Sequence, residues 1–166
     1  VLRKKDFTLS GKVAGVIGDS TFLHSGITPL LNMAYNHSNA LIIILDNSTT
    51  AMTGMQEHPG TGFTLMGKAT KKVNLEDLIS SLGIENIKVI NPFNQKETIS
   101  AIKEELAKEG PSVIISQSPC ALFKRAGIKP KPALKVDADK CEGCKACLGL
   151  NCPPISWKKG ITREGS

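Results

Sequence analysis

Short apolar runs alternate with amphipathic helical patterns through most of this chain, and that alternation is what most restricts its fold. Lys12 to Ile17, ending at Gly18, is an apolar run that reads as a buried strand. Thr28 and Pro29 are expected to open a helix as N-cap and first-turn proline, with Leu30, Leu31, Ala34 and Tyr35 at helical spacing. Ala40 to Leu45 is a continuous apolar run of the kind buried on both faces of a parallel sheet. Asn47 to Met66 is rich in glycine and threonine, and compact domains keep loops of this length for function. Asn74 caps a helix with Glu76 and Asp77 in its first turn and Gly83 at its end. Ile87 to Ile90 is a strand. Gln95 to Glu109 is a helix closed by Gly110, with Ile99, Ile102 and Leu106 expected inward. Val113 to Ser116 is a further strand. The order predicts an α/β domain with a mainly parallel sheet.

A second signal sits near the C-terminus. Four of the chain's five cysteines lie between 141 and 152: Cys141, Cys144, Cys147 and Cys152, the last followed by Pro153. The pattern is C-x2-C-x2-C-x4-C-P. Three cysteines at steps of three can wrap one small cluster from a single loop, and a cysteine before proline closes a bacterial 4Fe–4S site. Zinc sites pair their ligands in two knuckles with a longer spacer, so iron–sulfur is the favoured reading over zinc. The last spacer (Leu148, Gly149, Leu150, Asn151) is one residue longer than the ferredoxin pattern. In two-cluster ferredoxins the fourth cysteine serves the other cluster, and a second cysteine run does not follow here. The sequence therefore reads as truncated or split inside a ferredoxin-like segment. Lys129-Pro130-Lys131-Pro132 reads as an extended tether. The expected division is 1–128 for the α/β domain, 129–136 for the linker and 137–166 for the cysteine segment. Cys120, the remaining cysteine, is expected as a core residue rather than a ligand.

A chain of 166 residues suits one sizeable core with a small appendix. Net charge is +6, with basic residues gathered from Lys124 to Lys135 and at Lys158 and Lys159. At 4% aromatic content these read as a solvated face and not as a nucleic-acid surface, and such a face would also steer an acidic ferredoxin. The longest apolar run is far too short to span a bilayer, and VLRKKDFTLSGK lacks a signal-peptide core. An iron–sulfur reading places the chain in a reducing, cytoplasmic setting.

Open α/β sheets bind ligands at the C-terminal ends of their strands. Two such ends carry unusual chemistry: Gly18-Asp19-Ser20 and Asp46-Asn47-Ser48-Thr49-Thr50. Glycine lets backbone approach a phosphate closely, while aspartate and asparagine offer oxygen ligands to a hard cation such as Mg2+. Nothing matches a Walker A loop. The Gly18 to Asn47 interval resembles the thiamine diphosphate motif, GDG or GDS followed by a distant asparagine. More broadly, GDSTFLHSGI at 18–27, LDNSTTAMTGMQEHPGTG at 45–62 and SQSPCALFKR at 116–125 resemble the indolepyruvate ferredoxin oxidoreductase α-subunit family.

That resemblance implies a thiamine diphosphate-binding fold and a set of roles. Asp19 and Asn47 would bind Mg2+ through their side chains and Thr49 through its carbonyl. Gly18, Ser20 and Thr21 would contact the diphosphate. His24, Ser25 and Gly26 would lie beside the cofactor, and Thr53, Gly54 and Gln56 would follow the metal loop around the phosphates. Cys141, Cys144, Cys147 and Cys152 would hold the 4Fe–4S cluster. The implied activity converts an aryl 2-oxoacid and CoA to acyl-CoA and CO2, with a β subunit as partner and ferredoxin as electron acceptor. The family also carries an earlier domain and a cysteine-containing segment not found in this sequence, so the chain alone is expected to be inactive. His24 is balanced between a cofactor contact and a capping role, and His58 is expected exposed in its loop. Met52, Met55 and Met66 would line an apolar pocket or fill loop gaps. A sister oxidoreductase acting on pyruvate or 2-oxoglutarate, or a non-catalytic iron–sulfur or zinc module, are the alternatives.

Overall fold

The computed structural model describes residues 11–122, 136–137 and 139–150. The chain divides into two units, Val1–Lys129 and Pro130–Ser166. In the first, β1 (Val13–Gly18), β2 (Ala40–Asp46), β3 (Asn86–Ile90) and β4 (Ser112–Gln117) form one sheet in the order β1-β2-β4-β3. Every pairing is parallel, with Gly18 opposite Leu45 and Asp46 opposite Gln117. The strand C-terminal ends therefore align along one edge, where an open α/β sheet places its ligands.

Alternation along the strands builds a core on each face. Ile44, Val113 and Ile115 pack with Phe22, Leu30, Met33, Leu75, Ile79 and Ile84 on one side. Leu41 and Ile114 pack with Ile90 and Ala101 on the other. Each fully buried branched aliphatic contributes about 1.5–3 kcal/mol, so central β4, buried from Ser112 to Ser116, anchors both layers. β1 is an edge strand rather than a buried one, and Val16 is 64% exposed.

Helical structure runs without a break from Asp19 to Tyr35: α1 (Asp19–Thr21), a π-helical turn at Phe22–Gly26, then α2 (Ile27–Tyr35). Thr28 is therefore inside the helix and is not its N-cap. Pro29 has no N–H to give the Ser25 carbonyl, and the wide turn just before it changes the hydrogen-bond register where that donor is missing. Leu30 and Met33 face the core, while Leu31 and Tyr35 are exposed. α3 (Leu75–Ser81) starts at Asn74, whose Oδ1 accepts from Glu76 N–H at 2.9 Å, as its capping chemistry predicts.

In α4 (Gln95–Ala107) the inward pair is Ala101 and Glu105, with Ile102 partly buried. Ile99 is 55% exposed and Leu106 is exposed too, against the expected stripe. The apolar pattern misled because Glu105 can be buried here. Its Oε1 accepts from Lys108 Nζ at 2.7 Å, and Lys12 Nζ donates to its carbonyl at 2.8 Å.

Candidate functional site

The site begins where β1 hands over to α1. Gly18 ends the strand with φ −76 and ψ 155, a conformation open to any residue. A Cβ built there meets nothing within 4 Å. Its missing side chain serves neither strain nor packing in this chain, and what it leaves is open space beside the next residue.

That next residue, Asp19, is only 3% exposed. Its Oδ1 accepts from Ser20 N–H at 2.7 Å and its Oδ2 from Ser48 N–H at 3.0 Å. Burial acts to raise this carboxyl's pKa. The His58 ring, the Ser20 N–H and the Asp46 side chain act the other way and hold it below the ordinary 3.8. The Ser48 bond ties the end of β1 to the loop after β2, bringing Asp19 next to the segment that carries Asn47 and Thr49.

The β2 loop is shaped by its own polar side chains. Asp46 Oδ1 accepts from Ser48 N–H at 2.9 Å, and Asn47 Oδ1 accepts from Thr49 N–H at 3.2 Å. Ser48 sits at φ 61 in the left-handed region, and two successive Asx turns hold it there. The segment after β4 fastens the loop from outside. Ser118 N–H donates to Asp46 O at 2.9 Å, Cys120 N–H to Asn47 O at 3.0 Å, and Gln117 Nε2 to Asp46 Oδ2 at 2.8 Å. Thr49 is buried, and Thr50 Oγ1 donates to Ser20 Oγ at 2.9 Å. Farther round, Thr53 Oγ1 donates to Gln56 Oε1 at 2.7 Å, Gln56 Nε2 to Thr53 O at 2.6 Å, and Gly54 adopts φ 120.

Not every expected residue joins this group in one way. His24 is exposed and its Nδ1 lies 2.7 Å from Ser20 O, one turn back on its own helix. Thr21 is exposed and its carbonyl accepts from Ser25 Oγ at 3.1 Å. Gly26 lacks a side chain for packing: a Cβ would stand 2.7 Å from Phe22 Cδ2 and 3.0 Å from Ile17 Cδ1. Met52 and Met66 are exposed and fill no gap among the described residues, while Met55 is half-buried. Cys120 is half-buried.

The main correction concerns His58. It is 4% exposed instead of lying free in its loop. Its Nδ1 accepts from Gly60 N–H at 3.2 Å, which leaves the ring proton of the neutral form on Nε2. Nε2 lies 3.4 Å from Asp19 Oδ2 and makes no closer bond, so the contact is slack for a buried donor. An unmet buried donor costs about 1–3 kcal/mol. The sequence held a signal in Gly60, where a Cβ would press on the His58 ring at 3.1 Å. Gln117 was missed, and Asp46, named at its strand end, was given no role of its own. Asp19, Asp46, His58, Lys72, Asn74 and Gln117 share the wall of a cleft of about 250 Å³.

Among the described residues no three His, Cys, Asp or Glu side chains converge as a metal-ligand set. A cation at the strand ends would thus draw on mixed oxygen donors, a carboxylate, a carboxamide and a carbonyl, a donor set that suits Mg2+. In the second unit Cys141, Cys144 and Cys147 are exposed, the last in a short 3-10 turn at Ala146–Leu150. Cys152 lies outside the described residues.

A family model described as thiamine pyrophosphate enzyme, C-terminal TPP binding domain, matches residues 6–116. The chain belongs to this family. Indolepyruvate oxidoreductase subunit IorA of Archaeoglobus fulgidus is 42% identical over 151 residues, 89% of this chain and 24% of the relative. The subunit of the same name from Pyrococcus abyssi is 44% identical over 87% of this chain and 23% of its own length. That from Methanothermobacter thermautotrophicus is 39% identical over 93% and 24%. The chain spans about a quarter of the length of these relatives. The resemblance read from residues 18–27 and 45–62 is thereby borne out, as are the thiamine diphosphate fold and its parallel sheet. No helix among the described residues is long and apolar enough to cross a membrane.

Proposed function

We propose that this chain supplies the diphosphate- and metal-binding half of the cofactor site in a 2-oxoacid:ferredoxin oxidoreductase. The observation that carries the reading is the Ser48 N–H bond to Asp19, which joins two strand ends of the matched domain into one oxygen-rich corner. Asp19, Asn47 and Thr49 would hold Mg2+ through carboxylate, carboxamide and carbonyl oxygens. Gly18, Ser20 and Thr21 would face the diphosphate at the start of the helical run, with Thr53, Gly54 and Gln56 on its loop side. The metal screens the anion, so no arginine cluster is required. Bound thiamine diphosphate supplies the electron sink for decarboxylation. The chain's own residues bind it, orient it and compensate its charge.

The whole enzyme would oxidise an aryl 2-oxoacid such as indolepyruvate or phenylpyruvate to an acyl-CoA. Its partners would be a β subunit and ferredoxin, with electrons leaving through a 4Fe–4S cluster on Cys141, Cys144, Cys147 and Cys152. The names of the relatives and the 45–62 text support the aryl branch. Steady-state assays of the assembled oxidoreductase with a ferredoxin or viologen acceptor test it. The expected preference for indolepyruvate over pyruvate in kcat/KM is roughly a hundredfold, the worth of burying an aromatic side chain. A preference for pyruvate would move the chain to the sister branch. Iron and sulfide analysis tests the cluster, and stoichiometric zinc in its place would remove electron transfer from this segment.

A further inference from the structure

A histidine buried against a carboxylate is not explained by holding the diphosphate. Asp19 offers four lone-pair positions, two on each oxygen. Oδ2 faces two donors, Ser48 N–H at 3.0 Å and His58 Nε2 at 3.4 Å. Oδ1 faces Ser20 N–H at 2.7 Å. Oδ2 thus has one bonded donor and the His58 Nε2 facing it just beyond bonding distance, and Oδ1 has one bonded donor. The His58 ring cannot turn its proton elsewhere, because Gly60 N–H occupies Nδ1 and the Gly60 backbone seats the ring closely.

We propose that His58 is a positioning residue for Asp19: it occupies Oδ2 with a neutral Nε2–H and so makes Oδ1 the oxygen that meets the cation. This rests on the reading of Asp19 as a metal ligand. At 3.4 Å, Nε2 stands short of a full bond to Oδ2, and a small shift of the ring would close it. A histidine present only for packing would be replaceable by any side chain of similar bulk. A positioning donor would not.

The test uses Mn2+ as the spectroscopic probe for Mg2+ in the assembled oxidoreductase, with thiamine diphosphate present and free Mn2+ followed by electron paramagnetic resonance. His58→Met keeps bulk without a donor, and His58→Gln keeps an amide N–H near the Nε2 position. His58→Met should weaken Mn2+ binding by roughly 10–100-fold, as loss of a ligand's supporting partner does. His58→Gln should recover most of that loss. Thermal midpoints measured in EDTA should be alike for the two variants. Wild-type affinity in His58→Met, or no recovery in His58→Gln, overturns the inference and leaves the metal reading standing. No Mn2+ uptake by the wild type overturns the metal reading and the inference together. Should His58→Met fail to fold, nitrogen NMR of the metal-free wild type decides: an Nδ1–H tautomer overturns the inference.

Discussion

The two edges of the sheet bury carboxylates, one at the N-terminal edge and two at the C-terminal edge, and treat them in opposite ways. At the N-terminal edge Glu105 meets cations. Lys108 Nζ is 2.7 Å from its Oε1, and Lys12 Nζ reaches Glu105 O, Lys108 O and Ser112 Oγ at 2.8, 3.2 and 2.7 Å. At the C-terminal edge Asp19 and Asp46 meet the dipoles of Ser20, Ser48, Gln117 and His58. Among the described residues neither is ion-paired with a lysine or arginine. At the N-terminal edge the buried charge has a cation of the chain against it, Lys108 on Oε1, although Glu105 Oε2 makes no hydrogen bond. Charge answered by dipoles leaves a negative field, and a hard cation is what such a corner attracts. The first edge carries its own counter-charge, and the second is where the proposed cation would sit.

The comparison breaks if either edge behaves like the other. Glu105→Ala should destabilise the fold by about 3 kcal/mol, through a lost buried side chain and a broken ion pair. Urea unfolding measures it. Cofactor affinity of the protein that remains folded should not change, and a selective loss of thiamine diphosphate binding would make this edge functional after all.

Asp19→Asn should do the reverse. Removing the charge while keeping an acceptor should cost Mg2+-dependent thiamine diphosphate binding about 2–3 kcal/mol, roughly a hundredfold, by analogy with charge-assisted bonds. Calorimetric titration of the assembled enzyme with wild-type affinity would end the assignment. The variant should also differ in acid. Asp19 titrates below 3.8 when folded, so its share of stability is full above that value and is lost as pH falls through the folded pKa. Without this group, the unfolding free energy of Asp19→Asn should fall less steeply below about pH 4.

Much of this was legible in the sequence. The strands announced themselves by continuous apolar runs, and α3 by its Asn74 cap, because these are local chemistry. The placement of Asp19 and Asn47 at the ends of neighbouring strands was legible in the apolar runs before them. What failed was set by pairing across the chain. Glu105 lies inward with Lys108 on its carboxylate, while Lys12, remote in sequence, holds its backbone carbonyl. His58 is buried because a loop folds back onto Asp19, and the loop's own residues show only Gly60 as a hint. The helix begins at Asp19, well before Thr28, because the π-turn lets one helical run carry an internal proline.

The smallest effects give the sharpest comparison, since one substitution at two nearby glycines should act on different properties. At Gly26 a Cβ meets Phe22, itself fully buried, at 2.7 Å. Neither that ring nor Ile17 Cδ1 at 3.0 Å can withdraw freely, so Gly26→Ala should cost about 1–2 kcal/mol by overpacking. At Gly18 the conformation suits alanine and a Cβ meets nothing within 4 Å. Gly18→Ala should therefore change stability by less than about 0.5 kcal/mol. On the proposed reading its methyl would stand where the diphosphate approaches the backbone, so thiamine diphosphate affinity should drop while the fold holds. Thermal melts and calorimetry on the two variants separate the cases. If Gly18→Ala binds the cofactor as the wild type does, the open space beside Asp19 is not the diphosphate's, and the C-terminal edge keeps its cation but loses its anion.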